Sequence, residues 1–180
     1  MHQLSTVLFD YICNPVKTIQ TRHHIPPTRL AILILAFVCI SSLSNILPIQ
    51  TLFFQSIFMF GLLVLVIVFQ ACCIDFISQL QNTKSQLIPL ITWLSMSLLP
   101  TLILSPLNTI AHTVSSPLFF IELYHWAIIY LTVFLQIKSI QVLYHFYPFK
   151  STLIWLSPLF VIAIFFASIT GLTLTSMGAY

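Results

Sequence analysis

Five long, mainly apolar stretches alternate along this chain with more polar intervals. These run over about 30–47, 52–74, 87–104, 118–137 and 152–177. A helix rising about 1.5 Å per residue needs about 20 apolar residues to cross a hydrocarbon core, and each stretch is close to that. They predict an all-α integral membrane bundle of five transmembrane helices over 30–177, preceded by a cytoplasmic segment, 1–29. Within that segment Leu4, Val7, Leu8, Tyr11 and Ile12 fall at i, i+3, i+4, i+7 and i+8, a single apolar stripe that Asn14-Pro15 ends. This is the pattern of a short amphipathic helix lying in the membrane interface. It lacks the basic start, continuous apolar run and small-residue cleavage site of a signal peptide.

The spans differ in character. The first thins to Ser41, Ser42, Ser44 and Asn45 before Pro48 and forms a tight hairpin with the second. The second carries five phenylalanines and Gly61, with Asp75 marking its exit into a polar connector, 76–86. In the third, Pro89 sits in the first turn, where a missing N–H costs little. Pro100 lies inside it and predicts a kink, and Pro106 closes it before an uncharged, loop-like connector, 105–117. The fifth holds Pro158 early, and Ser168, Thr170, Gly171, Thr173 and Thr175 late, the small and hydroxyl residues of helix-packing faces in lipid.

Composition narrows the class. Only 5% of the 180 residues are charged and 59% are hydrophobic, against roughly 25% charged in soluble domains. A soluble enzyme, a secreted disulfide module and a disordered chain are excluded. A net charge of +3 without a basic cluster is too thin for nucleic acid. Cys13, Cys39, Cys72 and Cys73 have no metal-binding spacing and read as small hydrophobes, or as palmitoylation sites in a eukaryotic host. The positive charges settle orientation: Lys17, Arg22, Arg29, Lys84, Lys138 and Lys150 all fall in 1–29, 75–86 and 138–151, and none in 48–51, 105–117 or 178–180. By the positive-inside rule the N-terminus is cytoplasmic and the C-terminus outside.

Candidate chemistry is sparse. Glu122 is the one charge clearly within a span, with His125 one turn on. On a helix of about 100° per residue, Glu122, His125, Thr132 and Gln136 share an arc of about 80°, a single polar seam on span 4. Glu-x-x-His is also the spacing of carboxylate-bridged di-metal bundles, but those need it twice with two further carboxylates. No metal, cofactor or catalytic residue is assigned on this basis. Nucleophile-elbow, zincin, Walker and dinucleotide motifs do not occur. His23-His24 reads as an interfacial, partly titrating patch, and Trp93, Trp126 and Trp155 as interfacial aromatics.

Asn14-Pro15 with Lys17 and Arg22, the run Pro26-Pro27-Thr28-Arg29 ahead of span 1, Ser97-Leu98-Leu99-Pro100 in span 3 and Ile121 to Tyr130 around Trp126 form a recognisable order. That order resembles the Yip family (Ypt/Rab-interacting proteins), in its compact bacterial type. The resemblance implies a five-span membrane protein without an established reaction, in a bacterial inner membrane or, as the alternative, a Golgi or endoplasmic reticulum membrane. The expected function is a non-enzymatic membrane organiser or adaptor. Its partners would be the lipid bilayer, through Lys17, Arg22 and Arg29, and other membrane proteins or a second copy. The rival expectation is a small transporter or channel-like protein using the span 4 seam.

Overall fold

The computed structural model describes residues 2–22, 26–44, 49–113 and 118–177, and the side chains of 6–22, 26–43, 53–110 and 120–168. Regular structure among the described residues is entirely helical. Two short helices, α1 (His2–Cys13) and α2 (Pro15–Arg22), precede α3 (Thr28–Ser44) and α4 (Ile49–Gln79). Next come α5 (Leu87–Met96), a 3-10 segment (Leu99–Ile103) and α6 (Leu104–Thr113), then the long α7 (Leu118–Tyr144) and α8 (Pro148–Met177). Four stretches are long and apolar enough to cross a membrane: Phe53–Gln79, Leu87–Ile110, Phe120–Tyr144 and Pro148–Ser168. These helices mark an integral membrane protein. The first expected span appears as α3, apolar but shorter than the other four. His23-His24, Asn45, Pro48 and 114–117 lie outside the described residues.

Several helices run further than hydropathy alone predicts. α4 continues past Asp75 to Gln79, so Asp75 lies within the helix and only 80–86 connects it to α5. α7 continues past 137 to Tyr144. Both stop in the same way. Asn82 (φ 63°) and His145 (φ 54°) adopt the left-handed conformation, and the next amide turns back to the helix. Thr83 N–H reaches Ser78 O at 3.4 Å, and Phe146 N–H reaches Gln141 O at 3.2 Å. These are Schellman caps made without glycine. The stretch 105–117 departs from the loop expected there, because 104–113 is helical. Pro106 falls in the first turn of α6, where its missing N–H has no intrahelical partner to lose, so it starts a helix instead of closing one.

α5 is the centre of the bundle. It packs against α3, α4 and α7, and Thr92, Trp93, Leu94, Ser95 and Met96 are all buried, as is Ser97 beyond it. The helix breaks where Pro100 cannot donate a backbone hydrogen bond. α5 ends at Met96 and the chain resumes as a 3-10 turn with Pro100 at its start. Hydroxyls take up carbonyls near the break: Ser97 Oγ donates to Leu94 O at 2.6 Å and Thr101 Oγ1 to Leu98 O at 2.6 Å. A proline is tolerated in an apolar setting when side chains re-satisfy the backbone in this way.

The buried face of α7 reads Thr132, Leu135, Gln136, Ser139, Ile140, Leu143, Tyr144, and that of α4 reads Ile67, Ala71, Ile74, Asp75, Ser78. This alternation of three and four residues is a helix-packing seam. It occupies only the later part of each helix. Earlier along α4, Phe53, Phe54, Ile57 and Phe58 are exposed, as are Leu123, Trp126 and Tyr130 on α7. On α8 the pattern is reversed in chain order: Ser151, Ile154, Ser157 and Pro158 are buried, and every residue from Leu159 to Ser168 is exposed.

Part of the N-terminal apolar stripe packs into the bundle. Val7 and Tyr11 of α1 and Ile19 of α2 belong to the bundle core, while Ile12 is exposed, and α2 packs along α7. Tyr11 stacks on Trp93 with ring centroids 5.7 Å apart and planes inclined by 26°. Neither the Tyr11 hydroxyl nor Trp93 Nε1 has a hydrogen-bond partner. Burial therefore pushes the Tyr11 phenol well above its ordinary pKa. Since that hydroxyl forms no bond, Tyr11→Phe should leave stability unchanged or raise it by up to about 1 kcal/mol. Trp93→Ala should lower it by about 3–5 kcal/mol. Equilibrium unfolding in detergent micelles, followed by far-UV circular dichroism, measures both; a large loss in Tyr11→Phe would show that the hydroxyl has a partner.

Candidate functional site

The buried charge is Asp75, on the inner face of α4 and 4% exposed. A carboxylate removed from water is tolerated only when its oxygens are hydrogen-bonded. Here the chain delivers four donors. Gln79 Nε2, one turn along α4, reaches Oδ2 at 2.6 Å. Ser85 Oγ, in the connector, donates to the same oxygen at 2.7 Å. The backbone N–H of Gln86, the N-cap residue of α5, reaches Oδ1 at 2.9 Å. The hydroxyl of Tyr144, from the last turn of α7, donates to Oδ1 as well. One carboxylate thus ties together the end of α4, the connector, the start of α5 and the end of α7. Its place at the N-terminus of α5 also sets a negative charge against the positive end of that helix.

A second polar cluster lies further from this end. Gln136 Oε1 accepts from Trp155 Nε1 of α8 at 2.7 Å and, more distantly, from Gln70 Nε2 of α4 at 3.5 Å. Gln70 meets Gln136 and Asp75 meets Tyr144, so later residues of α4 pair with later residues of α7 and the two helices run parallel.

The expected seam of span 4 divides. Thr132 and Gln136 are buried, and Glu122 is exposed, with His125 between these extremes. Glu122 and His125 do not pair: His125 Nδ1 is 2.6 Å from Ile121 O, and its ring stacks on Tyr124 at 4.7 Å. Tyr124 in turn donates to Asn108 of α6. Thr132 Oγ1 donates to Ile128 O at 2.9 Å. His112, a possible partner for Glu122, lies outside the described side chains. Among the described residues no three His, Cys, Asp or Glu side chains gather in a way that could hold a metal ion.

The basic residues of the N-terminal segment are at the surface. Lys17 and Arg29 are exposed and Arg22 is half-buried in the last turn of α2. Phe9, Asp10, Cys13, Lys17 and Thr21 line a shallow cavity of about 310 Å³ there. An apolar cleft of about 450 Å³ opens between α3 and α4, walled by Cys39, Ile40, Phe53 and Phe60.

Comparison with protein families, curated proteins and solved structures finds no match for this chain.

The central role of Asp75 was not read from the sequence, which marked it only as the end of span 2. Gln79 at i+4 and the Ser85-Gln86 pair in a short connector are the local signals that could have pointed to it. Tyr144, 69 residues away, has no local signal. Removing that one donor should destabilise the fold without emptying the site. Tyr144→Phe should cost about 1.5–3 kcal/mol, the range for a hydrogen bond to a charged group. Asp75→Ala, which strands all four donors, should cost more. Unfolding midpoints in micelles, with limited proteolysis at 80–86, report both effects; unchanged midpoints for both variants would remove the carboxylate from its organising role.

Proposed function

We propose that this chain is a non-enzymatic membrane organiser or adaptor of Yip type, acting through helix–helix contacts and a basic cytoplasmic face. The observation that carries this reading is that its buried carboxylate, carboxamide and most buried hydroxyls are engaged within the protein, Tyr11 Oη, Ser56 Oγ and Trp93 Nε1 being the exceptions. Asp75 is saturated by Gln79, Ser85, Gln86 and Tyr144. Gln136 is held by Trp155 and Gln70. Buried Ser78, Ser95 and Ser139 each donate to a backbone carbonyl of their own helix. Groups so engaged hold helices in place and are not poised for chemistry. The small-transporter reading requires Gln136 to be open to a passing ion or substrate, and its occupied carbonyl makes that reading the weaker one.

In this reading α3 is a fifth, short span, tilted or locally thinning the bilayer. The N-terminus is then cytoplasmic and the C-terminus outside, with Lys17, Arg22 and Arg29 against anionic headgroups. α1 lies at the cytoplasmic interface with one face docked on the bundle and Phe9 and Ile12 turned outward. The membrane is a bacterial inner membrane, with Golgi or endoplasmic reticulum as the alternative. In a chain freed of its native cysteines, Lys84→Cys should react with an impermeant thiol reagent only from the cytoplasmic side; labelling from outside would invert the topology. Crosslinking in native membranes and then affinity purification and mass spectrometry should recover a partner membrane protein or a second copy. Recovery of neither protein nor lipid would count against the organiser role.

A further inference from the structure

Lys138 poses an unsolved electrostatic problem. It lies within the apolar stretch Phe120–Tyr144, six residues before its end, or about 9 Å along the helix axis. A half-buried lysine at the cytoplasmic end of an apolar helix needs a counter-charge or a route to the headgroups. Its Nζ donates to Gln141 Oε1 at 3.0 Å and sits 5.6 Å from the Phe134 ring centroid. Both partners are neutral. The acidic residues of the chain are Asp10, Asp75 and Glu122. Asp75 is saturated by other donors, and no carboxylate lines the space around Lys138.

That space is a cavity of about 390 Å³ where α2, the last turns of α7 and the start of α8 meet. Its polar lining is Gln20, Lys138, Gln141, His145 and Tyr147, a set with a lysine and no carboxylate. The remaining wall is apolar, from Val16, Val142, Phe146 and Pro148. Lys150 Nζ lies 4.3 Å from the ring centroid of Phe146, one of these wall residues. Tyr147, which lines the cavity, is 82% exposed, as tyrosines at the headgroup level are.

We infer that this cavity is a binding site for the phosphate headgroup of an anionic phospholipid, with Lys138 as the principal ligand. A mixed polar and apolar lining suits an amphiphile better than a small free anion: the phosphate meets Lys138 while the glycerol and the first acyl carbons lie against Val16, Val142 and Phe146. A basic pocket between helices at the cytoplasmic side is a known kind of headgroup site. The inference rests on the membrane reading above and adds a defined, saturable site to its diffuse basic face.

The test uses the full chain reconstituted in nanodiscs of phosphatidylcholine containing phosphatidylglycerol, with native mass spectrometry reading the lipid retained after release. The wild-type protein should retain phosphatidylglycerol over phosphatidylcholine. Lys138→Gln should weaken that retention about fivefold, equivalent to about 1 kcal/mol, and Lys138→Arg should keep most of it. Lys84→Gln, the same charge change on an exposed connector residue away from the cavity, should have no effect. Gln20→Trp, which fills the cavity from the α2 side and leaves Lys138 in place, should also weaken retention; this keeps the test decisive if Lys138→Gln misfolds. Equal retention of both lipids by the wild type, or equal losses in Lys84→Gln and Lys138→Gln, would overturn the site. Binding of inorganic phosphate with the same Lys138 dependence, without lipid retention, would assign the cavity to a free anion and overturn the lipid. A chain that carbonate extracts from native membranes would end both this inference and the organiser reading, whereas a membrane-resident chain without lipid preference ends only this one.

Discussion

An ionised carboxylate in an apolar surrounding has to recruit its own solvation shell from the protein, and for Asp75 that shell comes from four places in the chain. Hydrogen bonds to a charged group contribute about 1.5–3 kcal/mol each and have strict distance requirements. Meeting all four at once sets the length of the 80–86 connector, the point where α5 begins and the extent to which α7 must run before it caps. The two Schellman caps, at Asn82 and His145, occur on the two helices that converge on this carboxylate. A single buried charge thus coordinates elements that van der Waals packing alone would leave free to slide, since apolar side chains are no better solvated by one another than by lipid.

The central position of α5 has a related origin. It is short, and its buried hydroxyls are satisfied within the helix: Thr92 donates to Ile88 O at 3.0 Å and Ser95 to Ile91 O at 2.8 Å. Such residues let α3, α4 and α7 approach closely without leaving polar atoms stranded. Trp93 fills the volume at the core and meets Tyr11 there. The N-terminal segment is therefore joined to the core of the bundle, with α2 packed against α7.

How much of this could be read in advance depends on the range of each interaction. The four long apolar helices were readable, because hydropathy is a property of contiguous residues. So was the interruption near Pro100, because the missing N–H belongs to one residue. Pro106 was misread because a proline can end one helix or open the next, and here the residues after it, Leu107 to Thr113, continue as a helix. Of the seam drawn on span 4, Thr132 and Gln136 are buried, Glu122 is exposed and His125 lies between, since packing covers just the later part of α7. Asp75 was underestimated for the opposite reason. Its partner Tyr144 lies 69 residues away, and no pattern within one helix announces such a bond.

Packing along the bundle is graded. Asp75, the Gln136 cluster, the docked α2 and the buried stripes of α3, α4, α7 and α8 gather toward one end. Beyond Pro100 the stretch Leu87–Ile110 continues as a 3-10 turn and a separate helix, and α8 is exposed from Leu159 to Ser168. A bilayer that is thinner or thicker than the protein prefers must be matched somewhere, by tilt or by local deformation at a fraction of a kcal/mol per Å. The broken crossing separates a clamped half from a compliant one, so mismatch is absorbed in the compliant half and the geometry around the carboxylate is spared. Pro100 thus stands, like a mechanical fuse, between the lightly packed half and the end that carries all six lysines and arginines.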